Sequence, residues 1–85
     1  MKSKYKNPVE AFESTQLSLV RQGSRVKILA IHAGRELQAR LAAMGLVPGT
    51  EITVISNQSR GPSVVAVKDS RVVLGRGMST KIEVR

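Results

Sequence analysis

The chain has 85 residues, of which 41% are hydrophobic, and it contains no cysteine. This length suits one small domain, and the lack of cysteine excludes disulfide bonds, so an aliphatic core must hold the fold together. Fourteen lysine and arginine residues against six acidic residues give a net charge of +8, which favours encounters with acidic partners.

The first segment of the chain, residues 1–15, is basic at its start and shows no sustained hydrophobic period. We predict a mobile basic tail here, followed by one domain over residues 16–85. No apolar stretch follows the first lysines, so the segment does not resemble a signal peptide. The apolar runs elsewhere are far shorter than the roughly 20 residues of a membrane helix. These features predict a soluble cytoplasmic protein.

The first predicted strand covers residues 25–32, after a short lead-in turn at residues 17–23. Apolar and basic side chains alternate along this segment, as they do in a strand with one buried face. The alternation predicts that Val26, Ile28 and Ala30 lie on the inner face.

A short helix is predicted next, over residues 35–44. Leu37, Leu41 and Met44 are spaced at i, i+4 and i+7, so they line one helix face, and we expect Met44 to belong to the core. Gly45 follows where a left-handed residue ends a helix without a steric penalty from Cβ. Leu46 then lies where a contact back to Leu41 is expected.

A tight turn is predicted directly after this helix end. Pro48 fixes φ at the second turn position, and Gly49 accepts the positive φ of the third, which is typical of a type II turn. The turn leads into a strand over residues 51–56. Leu41, Gly45, Leu46, Pro48 and Gly49 therefore form one structural motif.

Three further strands are predicted, over residues 64–68, 71–74 and 81–84. Residues 69–70 form the link between the first two, and Ile82 and Val84 face the core. Residues 75–77, Gly-Arg-Gly, are expected to form a turn. Five strands and a helix indicate a mainly β fold with one or two short helices, arranged as a small, partly open barrel.

The residues that could carry chemistry are few and dispersed. His32 is the single histidine, and the four carboxylates of the domain lie on separate predicted elements. A metal site requires several converging ligands, and a nucleophile requires an adjacent base. We therefore predict no metal site, no cofactor and no catalytic residue, so the chain is not expected to be an enzyme. Met78, a soft ligand in principle, is expected to fill the core.

Several motifs occur together in a characteristic order. The run Arg40-Leu-Ala-Ala-Met-Gly-Leu-Val-Pro-Gly-Thr50 is preceded by Leu17-x-Leu-x-x-x-Gly23-x-x-Val26-x-Ile28 and followed by Gly61-Pro62 and Ile82-x-Val84. In this combination the chain resembles the FeoA family of ferrous-iron transport accessory proteins. The resemblance covers roughly residues 17–85 and implies an SH3-like barrel.

The resemblance also implies a partner, namely the cytosolic part of a FeoB-type ferrous-iron transporter, with membrane association only through that partner. The positive charge fits an acidic partner surface, and Arg35 and Arg40 on the helix are the candidate contact residues. The alternative is a basic nucleic-acid-binding barrel of the KOW type. The only aromatic residues, Tyr5 and Phe12, lie in the predicted tail. The barrel therefore has no aromatic side chain on which an unpaired base could stack, which weakens this alternative. The sequence leaves the oligomeric state open.

Overall fold

The computed structural model describes residues 14–58 and 60–85 of the chain. This part contains six antiparallel strands and two short α-helices. The strands are β1 (Thr15–Gln16), β2 (Arg25–Ile31), β3 (Glu51–Asn57), β4 (Ser63–Val67), β5 (Ser70–Leu74) and β6 (Ile82–Val84). The helices are α1 (Arg35–Ala43), α2 (Arg76–Ser79) and a 3₁₀ turn (Leu17–Leu19).

The strands form one sheet in the order β1-β6-β2-β3-β4-β5, and its two outer strands do not pair with each other. The sheet is therefore not closed, and the predicted class is confirmed as a mainly β, partly open barrel with two short helices. β1 extends the sheet beyond the five predicted strands, since Thr15 pairs with Val84. The remainder of the predicted tail, residues 1–13, lies outside the described residues.

The core is aliphatic throughout. Alternate residues of β4, β5 and β6 point into it, so Ile82 and Val84 are buried as predicted. The buried apolar side chains are Leu17, Ile28, Ile31, Leu41, Leu46, Ile52, Val54, Val65, Val67, Val72, Leu74, Ile82 and Val84. Met78 packs against this cluster, in line with the prediction.

The inner face of β2 differs from the prediction in its second half. Ile28 pairs with Val84 and Ile31 with Ile82, but the register shifts between Ile28 and Ala30. The extra residue of this bulge turns Ala30 away from the core and brings Ile31 into it. The expectation that Ala30 lies on the inner face is therefore wrong.

The end of α1 also corrects the prediction. Leu41 is fully buried and Leu37 packs against the core, but the side chain of Met44 is 40% exposed. Helical geometry ends at Ala43, and Met44 at the C-cap adopts φ −97° and ψ 6°. Its side chain consequently leaves the helix face defined by the two leucines, so Met44 is not a core residue.

Two predicted connections are shifted. The hairpin between β4 and β5 turns at residues 68–69, not 69–70, because Val67 pairs with Ser70 and Lys68 takes the positive φ of 55°. The expected turn at residues 75–77 is instead the start of α2, with Gly75 as its N-cap. A helix of four residues is too short for hydrophobic periodicity to reveal it.

Candidate functional site

The connection from α1 to β3 is built from hydrogen bonds that end the helix. Gly45 has φ +88°, in the left-handed region that the sequence predicts. The Gly45 amide donates to the Ala42 carbonyl, and the Leu46 amide donates to the Leu41 carbonyl, both over 2.9 Å. This pair of bonds is a Schellman motif, and it satisfies two carbonyls that the helix end leaves without partners.

The turn that follows joins the helix end to the sheet. The Thr50 amide donates to the Val47 carbonyl over 3.1 Å, and Gly49 between them has φ +95°, as a type II turn with Pro48 at its second position requires. The Gly49 amide also donates to the Ile28 carbonyl over 2.7 Å. α1 is thereby fixed to β2 and β3 at its C-terminal end.

The N-terminal end of α1 is held by a side chain within the helix. Gly34 occupies the N-cap and provides no capping group. The Gln38 side-chain amide donates instead to the Ala33 carbonyl over 2.7 Å and to the Ile31 carbonyl over 3.2 Å. With both ends attached to the sheet, α1 presents its outer residues on a rigid support.

The candidate contact residues Arg35 and Arg40 are both exposed on α1. They are five residues apart, so their side chains leave the helix axis about 140° from each other. The helix therefore does not bring the two arginines onto one face. Glu36 precedes Arg40 by four residues, yet the side-chain pair found within salt-bridge distance among the described residues is His32 with Glu83.

The contact between His32 and Glu83 belongs to a short chain of polar contacts on the sheet. The Nε2 atom of His32 lies 2.8 Å from Oε1 of Glu83, and the Ser14 hydroxyl donates to Oε2 over 2.7 Å. The contact with His32 and then that with Ser14 lower the pKa of the Glu83 carboxyl below its usual 4.5. Residues 14–58 and 60–85 contain no group of three or more histidine or acidic side chains that could hold a metal ion.

A second polar network, around Asn57, escaped the sequence interpretation. The Asn57 side-chain amide donates to the carbonyls of Val20 and Leu17 over 2.7 and 3.0 Å. The Ser63 hydroxyl, which is buried, donates to the Asn57 carbonyl oxygen over 2.7 Å. Asn57 thus ties the 3₁₀ turn to β3 and β4. A single asparagine at a strand end gives no sequence signal for partners about 40 residues earlier.

Cationic side chains meet at one end of β2. Lys27 and Arg85 exchange two backbone hydrogen bonds of 3.0 Å each, so they lie directly opposite each other and their side chains share a face. Arg25, two residues before Lys27, lies on the same face. Like charges placed opposite each other in a sheet repel, but Glu51 pairs with Lys27 from the other side, on β3, and adds a carboxylate to the same face.

Apolar side chains are also exposed in several places. Among the described residues these are Leu19, Met44, Val47 and Val73. Met44 and Val47 flank the helix end, and Val73 lies on β5. None of the helices in residues 14–58 and 60–85 is long and apolar enough to cross a membrane.

Comparison with known proteins identifies relatives over almost the whole described chain. The family model described as the FeoA domain matches residues 15–85. A protein of Methanocaldococcus jannaschii named Fe(2+) transport protein A is 37% identical over 68 residues, which are 80% of this chain and 82% of that protein.

Solved structures give the same result for the fold. An iron uptake regulatory protein (FeoA) superimposes with a TM-score of 0.79 at 29% identity, covering 85% of this chain and 96% of that one. A manganese-dependent transcriptional repressor superimposes with a TM-score of 0.77 at 23% identity, covering 85% of this chain and 41% of the repressor. The second likeness concerns the fold alone.

Proposed function

The chain belongs to the FeoA family, and we propose that it is an accessory protein of ferrous iron uptake that binds the cytosolic part of a FeoB-type membrane transporter. The observation that carries this proposal is the family match over residues 15–85, together with the 37% identity to Fe(2+) transport protein A. The proposed role is cytoplasmic and non-enzymatic, and the protein reaches the membrane only through its partner.

The surface of the protein supports a docking role. α1 is anchored at both ends and exposes Arg35 and Arg40, while Met44 and Val47 add apolar area at its C-terminal end. Because the two arginines project about 140° apart, a partner that contacts both must reach around the helix. Cationic side chains on a rigid helix suit an acidic partner surface, since opposite charges speed association and set orientation.

Nucleic-acid binding is the second candidate, and the net charge of +8 is the observation that favours it. Arg25 and Lys27, which are exposed on one face of β2, could contact phosphates. Tyr5 and Phe12 are the only aromatic residues of the sequence, so residues 14–58 and 60–85 provide no aromatic platform for unpaired bases. Charge alone supports non-specific binding at low salt, and we rank this function second for that reason.

An uptake assay tests the proposed function in cells. We expect that deletion of the gene lowers the initial rate of Fe(II) uptake and leaves Mn(II) uptake unchanged. The wild-type gene should restore the rate, and the double variant Arg35→Glu, Arg40→Glu should restore it less than the charge-matched control Arg21→Glu, Lys81→Glu. Fe(II) uptake that is indifferent to the deletion would contradict the proposal.

A further inference from the structure

β5 is an edge strand of the sheet, and one of its two sides pairs with no other strand of the described residues. Within residues 14–58 and 60–85, β5 pairs with β4 and with no other strand. At the opposite edge, β1 has two residues, whereas β5 has five. A strand of five residues is long enough to accept another strand, so this edge is the candidate.

The register of the β4–β5 hairpin tells which backbone groups point outward. Val67 and Ser70 flank a two-residue turn and form a directly bonded pair, and the pairing then alternates along the ladder. Val72 and Leu74 accordingly direct their N–H and C=O groups toward β4. Arg71 and Val73 direct theirs away from the sheet, where a seventh strand could bond to them.

The side chains next to β5 indicate which residue types an added strand would need. Ala43 and Met44, at the end of α1, border a shallow groove along β5 together with residues 70–73. Met44 is 40% exposed, so the part of the groove next to the end of α1 is apolar, while Ser70 and Arg71 add polar groups along β5. On the outer face lie Arg71 and Val73, and Val73 is 67% exposed. An added strand would therefore place apolar side chains over Met44 and an acidic side chain beside Arg71.

We propose that β5 accepts an extended, acidic segment of a partner protein, in which apolar and acidic residues alternate. Backbone hydrogen bonds to Arg71 and Val73 supply the affinity, and the charge of Arg71 selects an acidic sequence. The adjacent two-residue turn carries Lys68 and Asp69, whose charges offset each other, so Arg71 is the residue that sets the preference for an acidic segment. The proposal rests on the proposed function in that the segment is taken to belong to the cytosolic part of the transporter.

Charge distinguishes this occupant from a second copy of the chain. Pairing two β5 strands would bring two Arg71 side chains into neighbouring positions, between proteins that each carry a net charge of +8. The same arginine that repels another copy attracts a carboxylate. Basic residues on an edge strand prevent self-association in many sheets, and here they also leave the edge available to an acidic strand.

Amide hydrogen exchange of the full chain, free and bound to the cytosolic part of the transporter, tests the proposal. The Arg71 and Val73 amides should exchange rapidly in the free protein, and exchange should slow by at least about tenfold in the complex, as expected for newly bonded amides. Arg71→Glu and Val73→Pro should each weaken binding by about tenfold or more, the loss of roughly one good contact. Proline at position 73 removes only an outward N–H, so the pairing with β4 is retained.

Each of the two β5 variants has a matched control. Lys81→Glu carries the same charge change as Arg71→Glu on another part of the surface, and Val73→Thr keeps the outward amide, so both should bind nearly as the wild type does. If Val73→Pro fails to fold in a thermal melt, the wild-type exchange data and Arg71→Glu decide the matter.

Three results would overturn the inference. If the complex forms but the Arg71 and Val73 amides stay unprotected, the proposed function stands and the β5 site is wrong. If these amides are already protected in the free protein, the edge is occupied by the chain itself or by a second copy. If the wild-type chain does not bind the transporter at all, both proposals fail together.

Discussion

The Leu46 amide donates to the Leu41 carbonyl over 2.9 Å, and both side chains are fully buried. One contact thus ends α1 and also places two core residues against the sheet. The left-handed conformation of Gly45 between them allows the chain to make this reversal. The stability of the fold and the position of the helix that carries Arg35 and Arg40 consequently depend on the same short segment.

Substitution of Gly45 should destabilise the fold. A Cβ atom at φ +88° is strained, and it would lie 3.3 Å from Cγ1 of Val67. We expect Gly45→Ala to lower the free energy of unfolding by about 1–2 kcal/mol, and Gly45→Val by more, because its side chain is branched at Cβ.

Gly77→Ala is the matched control for Gly45. This glycine lies in α2 with no heavy atom within 4 Å of an added Cβ and no positive φ, so alanine should be neutral or stabilise by up to about 1 kcal/mol. Chemical denaturation of the three variants measures the difference. Equal stability of Gly45→Ala and Gly77→Ala would contradict the role given to Gly45.

Asn57 is expected to be the most sensitive polar residue of the described chain. Asn57→Ala removes the donor to two carbonyls, at Leu17 and Val20, and should cost about 1–3 kcal/mol. Asn57→Asp should cost at least as much, because a carboxylate would face the same two oxygens. Gln22→Ala removes another side-chain amide, at an exposed position before β2, and should change stability by less than about 0.5 kcal/mol. Urea unfolding that finds Asn57→Ala as stable as Gln22→Ala would refute this assignment.

The pH dependence of stability should include a contribution from Glu83. Its pKa is lowered in the folded protein by the contact with His32 and then by that with Ser14. The stabilisation is therefore complete above the ordinary pKa of 4.5 and is lost as the pH falls through the lowered value.

NMR titration of the Glu83 side-chain carboxyl measures this shift. We expect a midpoint below 4.5, and we expect His32→Ala to raise it more than Ser14→Ala does. In thermal melts, the stability difference between the wild type and Glu83→Gln should shrink as the pH falls below 4.5. A midpoint at 4.5 that neither substitution moves would show that the contacts are absent in solution.

Metal titration addresses the prediction that His32 is not a ligand. Calorimetry with Zn(II), and with Fe(II) under anaerobic conditions, should detect no stoichiometric submicromolar site, because His32 has Glu83 as its sole potential co-ligand among the described residues. His32→Ala should leave the fold intact. A tight site that disappears in His32→Ala would contradict this prediction.

Local chemistry explains which features the sequence predicts well. Gly45, Pro48 and Gly49 act through backbone conformations that depend on the residue itself, so the left-handed glycine after the helix and the turn that follows are predicted at the correct residues. The burial of Ile82 and Val84 follows from simple alternation within one strand. These signals need no knowledge of the partner strand.

The errors arise where a distant partner decides the outcome. Ile31 replaces Ala30 in the core because the pairing of β2 with β6 contains a bulge, and β6 lies about 50 residues later. The Asn57 amide reaches its acceptor carbonyls because the 3₁₀ turn packs beside it, although the turn lies nearly 40 residues earlier in the sequence. The net charge is evident from composition, but the opposition of Lys27 and Arg85 requires the sheet topology.

Direct binding at physiological salt is the measurement that tests the central claim. The full chain is titrated at about 150 mM salt with the cytosolic part of the transporter, and separately with mixed-sequence RNA and duplex DNA, because screening at this ionic strength removes most non-specific attraction. We predict saturable binding of the transporter part, which Arg35→Glu with Arg40→Glu weakens, and only weak, steeply salt-dependent binding of the nucleic acids. Tight retention of RNA or DNA at this salt, with no binding of the transporter part, would contradict the account.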